Sequence, residues 1–171
     1  MREWVPVPGT AKGRLVSEAL TEFGRRGYAA VSVTELAESA GVTIGSLYHH
    51  FGSKTGLYSV VREDVERRVV DRMEGAAAVR PGDPTAALLV GFDYLVAAGF
   101  ARLLSEQHPE RADDPVEALL ATLTRDPLVA RILLAAWRAA LSASAGEASV
   151  DVRAALQRVL GDSAPPGAPA G

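Results

Sequence analysis

Apolar side chains recur along this chain with the period of a helix, and strand-like alternation never persists. Val16, Ala19, Leu20 and Phe23 fall at i, i+3, i+4 and i+7, one face of a 3.6-residue spiral. This first helix is expected to begin near Thr10 and to stop at Gly27, because glycine adopts the left-handed conformation of a helix end at little cost. Ser32 and Glu35 then read as a Ser-x-x-Glu capping box, in which hydroxyl and carboxylate each satisfy an orphan amide. Val33, Leu36, Ala37 and Ala40 repeat the helical spacing, and Gly41 ends it. Thr43 is the expected N-cap of a third helix. Leu47 and Phe51 predict its inward face, which turns Ile44, Gly45, Ser46, Tyr48 and His49 outward. Gly52 closes it. Ser53 caps a long helix from Lys54 to about Ala78, whose apolar positions Leu57, Val61, Val65 and Val69 recur every fourth residue.

Two short helices joined by a tight turn at Gly41, with longer helices on either side, make a helix-turn-helix pattern. Short isolated helices are marginal, so this pair needs the long helices as a floor. The arrangement makes sense if the outward face of the second short helix must fit a groove. Pro81-Gly82-Asp83-Pro84 breaks the chain. Further helices are expected at about 84–106, 115–125, 127–144 and 148–160. The segment from Leu128 to Leu141 is apolar on nearly every side, the mark of a helix buried in a core or against a second chain. Val152, Leu156, Val159 and Leu160 form the apolar face of the last helix. The expected fold class is all-α, with an N-terminal three-helix helix-turn-helix domain over 1–56 and a linking helix over about 54–78. A C-terminal helical domain follows over 79–161. The tail, 162–171, is rich in Gly, Pro and Ala and is expected to be disordered.

Composition narrows the function. None of the 171 residues is cysteine, which excludes disulfides, thiol catalysis and cysteine-ligated zinc. The formal net charge of −3 argues against a wholly basic nucleic-acid binder. It is unevenly spread: residues 1–62 hold seven basic and five acidic side chains, a net of +2, and the remainder nets −5. The longest apolar stretch, Ala86 to Ala101, is interrupted by Asp93 and reads as a buried helix rather than a membrane span of about 20 residues. Met1 to Thr10 lacks the apolar core of a secretory signal, so the cytoplasm is the expected compartment and no membrane partner is expected. Gly52-Ser53-Lys54-Thr55 is similar to a P-loop ending, but serine separates glycine from lysine and no strand precedes it. No nucleophile–base constellation accompanies the three histidines. His49 and His50 point about 100° apart on a helix, with no carboxylate at ligand spacing. The expectation is therefore a protein that is not an enzyme, with no metal and no cofactor.

The stretch from Thr34 to Leu57, through Ala40-Gly41-Val42, Leu47-Tyr48-His49-His50-Phe51 and Gly52-Ser53-Lys54, closely resembles the DNA-binding segment of the TetR family of bacterial repressors. Upstream the resemblance continues through Ala19-Leu20, Phe23, Arg26-Gly27-Tyr28 and Ser32-Val33. Members are all-α homodimers. Their three N-terminal helices bind DNA, and a variable C-terminal helical domain dimerises and usually holds an inducer pocket. The resemblance implies a homodimeric repressor, released from a palindromic double-stranded DNA operator by a small-molecule effector. By position, the implied DNA-binding residues are Thr34, Thr43, Ile44, Gly45, Ser46, Tyr48, His49 and Lys54. Tyr48 and Lys54 would meet phosphates, while Ile44, Gly45, Ser46 and His49 would lie nearest the bases. Thr34 and Thr43 read as caps, as phosphate contacts, or as both. A lysine at a helix start opposes the helix dipole, which makes better sense of Lys54 if a phosphate is its partner.

One position departs from the family pattern. Ile44 stands where lysine is very common. Either DNA is held more weakly for want of a cation, or Ile44 makes an apolar contact, for example with a thymine methyl; the sequence leaves both open. In the C-terminal domain, Phe92, Tyr94, Phe100, Leu104, His108 and Trp137 are candidates to line a ligand cavity, against the alternative that they are merely core. Helices 127–144 and 148–160 are the expected dimer interface. A second reading keeps the DNA binding but removes the sensor, leaving the C-terminal module to dimerise or to dock another protein.

Overall fold

The computed structural model describes residues 9–146 and 148–161, and among these every regular element is a helix. The chain before Gly9 and the tail at 162–171 lie outside the described residues. The N-terminal unit is α1 (Ala11–Ala30), α2 (Val33–Ser39) and α3 (Ile44–Phe51). A long α4 (Lys54–Val79) leads to α5 (Pro84–Ala97), α6 (Ala101–Ser105), α7 (Pro115–Thr124), α8 (Pro127–Ala143) and α9 (Ser149–Gly161).

Most of these helices begin on a side-chain cap. The hydroxyls of Thr10, Thr43 and Ser53 accept from the amides of Gly13, Ser46 and Gly56 at 3.0, 3.1 and 2.9 Å. The Ser32–Glu35 capping box is complete: the Ser32 hydroxyl accepts from Thr34 and Glu35, and the Glu35 carboxylate accepts from the Ser32 amide at 3.1 Å. Three later helices share one device, an aspartate followed by proline at Asp83-Pro84, Asp114-Pro115 and Asp126-Pro127. Each carboxylate accepts the orphan amides of the first turn, and proline fills the position whose own amide would have no partner.

The glycine at 27 breaks α1 as expected. Its φ is +78°, and Tyr28 to Ala30 follow as a short helical turn beyond the kink. The single helix expected over 84–106 is instead two helices. The amides of Gly99 and Phe100 fold back onto Val96 and Leu95 carbonyls, Gly99 has a φ of +75°, and α6 sets off in a new direction. The physical reason is close approach. A β-carbon on Gly24 of α1 would fall 2.6 Å from the Gly99 carbonyl oxygen, so the corner lies directly on α1. The last helix also departs from its expected face: Val152, Leu156 and Leu160 are buried, but Val159 is exposed.

One continuous hydrophobic core runs from Leu15 to Leu160. The spine is α4, whose Leu57, Val61, Val65, Val69 and Met73 are all buried, along with Tyr58. It packs against α1 and α3 at one end and against α5 and α7 further along, while α6 lies between α1 and α8. Among the described residues, no helix is long and apolar enough to cross a membrane.

Candidate nucleic-acid interface

The presentation of α3 follows from what is buried beneath it. Leu47 is 0% exposed and fixes the roll of the helix. Ile44, at 40% exposure, and Tyr48, at 49%, then share the outer face with Gly45 and His49. Ser46 is half-buried rather than fully outward. Behind α3, the Arg14 guanidinium donates to the Ala40 carbonyl at 2.8 Å and ties the end of α2 to α1. The Arg26 guanidinium donates to both Glu22 and Glu35 at 3.1 Å, which ties the start of α2 to the same helix. Hydrogen bonds from Arg26 hold the Glu22 carboxyl below the usual range. The Ser32 amide, and then Arg26, do the same for Glu35. Both carboxylates therefore stay charged, and α2 and α3 sit on a fixed platform.

Thr34 and Thr43 are exposed in the first turn of α2 and at the N-cap of α3. The Thr43 hydroxyl accepts from Ser46, and its own proton is still able to donate outward. Lys54 opens α4, with its ammonium 4.3 Å from the centre of the Tyr28 ring. Partial burial pulls that ammonium below the usual lysine value. The Tyr28 hydroxyl is in turn bonded to the Thr55 hydroxyl at 2.8 Å. Tyr28 is thus the residue that aims Lys54, a role that sequence reasoning did not assign. His50 is exposed as well, with its ring centre 5.2 Å from that of His49. Among the described residues, no group of three or more His, Cys, Asp or Glu side chains could hold a metal ion.

A unit of two capped short helices, locked to a longer helix and presenting one exposed face, is what reading a groove requires. Residues 15–61 match the family model of the bacterial regulatory proteins of the tetR family. Over those residues the chain is similar to that family. It is 40% identical over 76 residues to the HTH-type transcriptional regulatory protein RaaS of Mycobacterium tuberculosis, over 44% of this chain and 34% of that protein. It is 42% identical over 57 residues to the HTH-type transcriptional repressor KstR2 of Mycolicibacterium smegmatis, over 33% of this chain and 28% of the relative. The matched part thus spans about a third of the length of these curated relatives. The fold resemblance is wider. The fatty acid degradation regulator FadR from Bacillus halodurans superposes with a TM-score of 0.66 at 14% identity, over 90% of this chain and 96% of that one. Both curated relatives are named as regulators of transcription.

The six ligand candidates occupy different places in the C-terminal part of the fold. Phe92, Leu104 and Trp137 are buried, and the Trp137 indole donates to the Leu88 carbonyl at 2.9 Å. The gap that Leu104 and Trp137 share with Arg62, Glu66 and Arg138 has no room for a water molecule. Tyr94 is half-buried under the Arg72 guanidinium, 3.9 Å from its ring centre. Phe100 lines a separate open hollow of about 500 Å³ between α1, the α5–α6 corner and the end of α8. His108 lies beside Tyr58, and its Nε2 is 2.8 Å from the Ser59 hydroxyl. Its Nδ1 accepts from the Glu110 and Arg111 amides. Burial, then Arg62 and Arg111, push the ring below the usual histidine value and keep it neutral.

Sequence reasoning also missed a buried ionic group behind these residues. Arg62 and Glu66 are 1% and 2% exposed on successive turns of α4, joined at 2.7 Å. Arg62 further donates to the Leu103 and Glu106 carbonyls at 2.9 and 2.8 Å, at the end of α6. Arg111 bonds to the other oxygen of Glu66. The only available signal was the i, i+4 spacing of Arg62 and Glu66, which usually marks a solvated pair.

Proposed function

We propose that the chain acts as a homodimeric repressor that lays α3 of each subunit in the major groove of a near-palindromic operator. The observation that carries this reading is the α3 face itself: Ile44, Gly45, Tyr48 and His49 exposed above a fully buried Leu47. The N-terminal residues of a recognition helix meet base edges, and the groups flanking it position it on phosphates. Thr34, Thr43, Tyr48 and Lys54 would do the positioning, and Gly45, Ser46 and His49 would lie nearest the bases. Two-fold symmetry would set the two helices about 34–36 Å apart, or a multiple of that. The kinship with a relative named as a transcriptional repressor supports the direction of control.

The dimer would form through α8 and α9. Leu128 and Ile132 are 64% and 60% exposed on one stripe of α8, and Val159 is 55% exposed on α9. Exposed apolar side chains of this kind are what a partner subunit would cover. A small-molecule effector would release the operator by binding more tightly to a subunit arrangement that no longer matches the half-sites. Tyr94, Phe100 and His108, all half-buried, are the ligand candidates within reach of solvent.

A second reading, a dimeric DNA-binding protein with no sensor, draws support from one observation: Phe92, Leu104 and Trp137 are buried, and the gap beside Leu104 and Trp137 is too small for a water molecule. One experiment tests both. Duplexes selected from random sequence by the full chain should converge on an inverted repeat. Selection without convergence would sink the operator reading. Repeating the binding with a metabolite library separates the sensor from the structural dimeriser, since only the first loses affinity with one ligand class.

A further inference from the structure

We infer that Ile44 reads the 5-methyl group of a thymine in each half-site, so that an A·T pair facing the first turn of α3 is a fixed feature of the operator. This deepens the operator-binding reading and rests on it. Ile44 is the first residue of α3 and is 40% exposed. On the same face, Gly45 adds no side chain and Tyr48 is itself 49% exposed. The fully buried Leu47 prevents the helix from rolling to hide the isoleucine, because that would expel a leucine from the core. The aliphatic surface therefore faces whatever the helix faces.

The groove offers little for such a surface. From Thr43 to Phe51 the chain has no lysine or arginine, so α3 lacks the side chains that pair with guanine O6 and N7. The base edges in the major groove present acceptors, amino donors and one apolar group, the thymine 5-methyl. Set against an amino or carbonyl edge, isoleucine removes water without replacing its hydrogen bond, which is unfavourable. Set against the methyl group, it removes apolar surface of both partners from water, which is favourable. Cytosine at the same step presents an amino group and no methyl, so the one side chain both favours thymine and disfavours cytosine. The missing cation becomes a source of discrimination rather than a plain loss of affinity.

The test begins with the duplex selected by the full-length protein, in which each thymine is replaced in turn by deoxyuridine, removing only the methyl. One thymine per half-site should prove sensitive, with affinity falling about fourfold for each methyl lost. The Ile44→Ala protein, which loses the contact in both half-sites, should bind the unmodified duplex weaker by about the square of that factor and be indifferent to uracil at that position. A thymine-to-cytosine change there should be partly rescued by 5-methylcytosine. Ile44 is exposed, so its replacement should leave the unfolding transition in place, and circular dichroism checks this. An enriched site in which every thymine tolerates uracil would overturn the inference alone. So would an Ile44→Ala protein that remains sensitive to uracil. If no duplex is enriched, the operator-binding reading falls and this inference with it.

Discussion

Lys54 shows how much a single side chain depends on residues far away in sequence. It opens α4, where the helix dipole is unfavourable to it, and it lies 4.3 Å from the centre of the Tyr28 ring. The ring restrains the side chain and its ammonium. Lys54→Met keeps the aliphatic stem over Tyr28 and removes only the charge. It should weaken binding to all duplexes alike and lower the slope of log affinity against log salt by about 1 per subunit. Fluorescence anisotropy across a salt series measures both, and an unchanged slope would take Lys54 off the phosphates. Positions such as Thr43, Ile44 and Tyr48 were legible because capping and helical spacing are local rules. Tyr28 as a platform was not, because 26 residues separate it from Lys54 and no local rule joins them. Ser46 was read as outward, yet it is half-buried and its amide is held by Thr43.

Among the elements, α4 was the most readable in outline and the least readable in chemistry. Its repeat of Leu57, Val61, Val65 and Val69 announces a buried stripe, and all four are in the core. Arg62 and Glu66 look like solvated charges, and only the tertiary arrangement buries them beneath the end of α6. The α5–α6 corner was hidden for a similar reason. A glycine within an apolar run is a weak local signal, and its need for a left-handed backbone arises from the contact with Gly24. Arg62→Met should destabilise the fold by about 3 kcal/mol, because it strands part of the Glu66 charge and the Leu103 and Glu106 carbonyls. Adding Glu66→Met should recover part of that loss, since a buried ion pair is commonly replaceable by apolar side chains of similar volume. Urea unfolding of the single and double variants checks the sign. A double variant destabilised by the full sum of the singles would show that the pair does not act as a unit.

At the scale of the whole molecule, the mildly basic N-terminal unit and the acidic remainder are joined by one core rather than by a loose tether. Bulk attraction to DNA is therefore small, and the proposed operator affinity must come from placed contacts doubled by symmetry. Ile132→Asp sets a charge on the exposed stripe of α8 without touching the core. It should convert the proposed dimer to monomer in analytical ultracentrifugation and reduce operator affinity by at least tenfold, while leaving the far-ultraviolet spectrum unchanged. A variant that remains dimeric would move the interface elsewhere.

Glu106 is held at both of its ends. Its carbonyl accepts from Arg62 at 2.8 Å, and its carboxylate accepts from the Tyr28 amide at 3.2 Å, on the far side of the kink at Gly27. Even a methyl group at Gly27 would meet that carboxylate, at 2.5 Å. A backbone amide of the N-terminal unit is thus protected by a side chain of the body. Its rate of hydrogen–deuterium exchange is an internal gauge of whether the two are docked. Followed in solution as DNA or candidate ligands are added, that single amide would report the state of the junction without any change to the sequence.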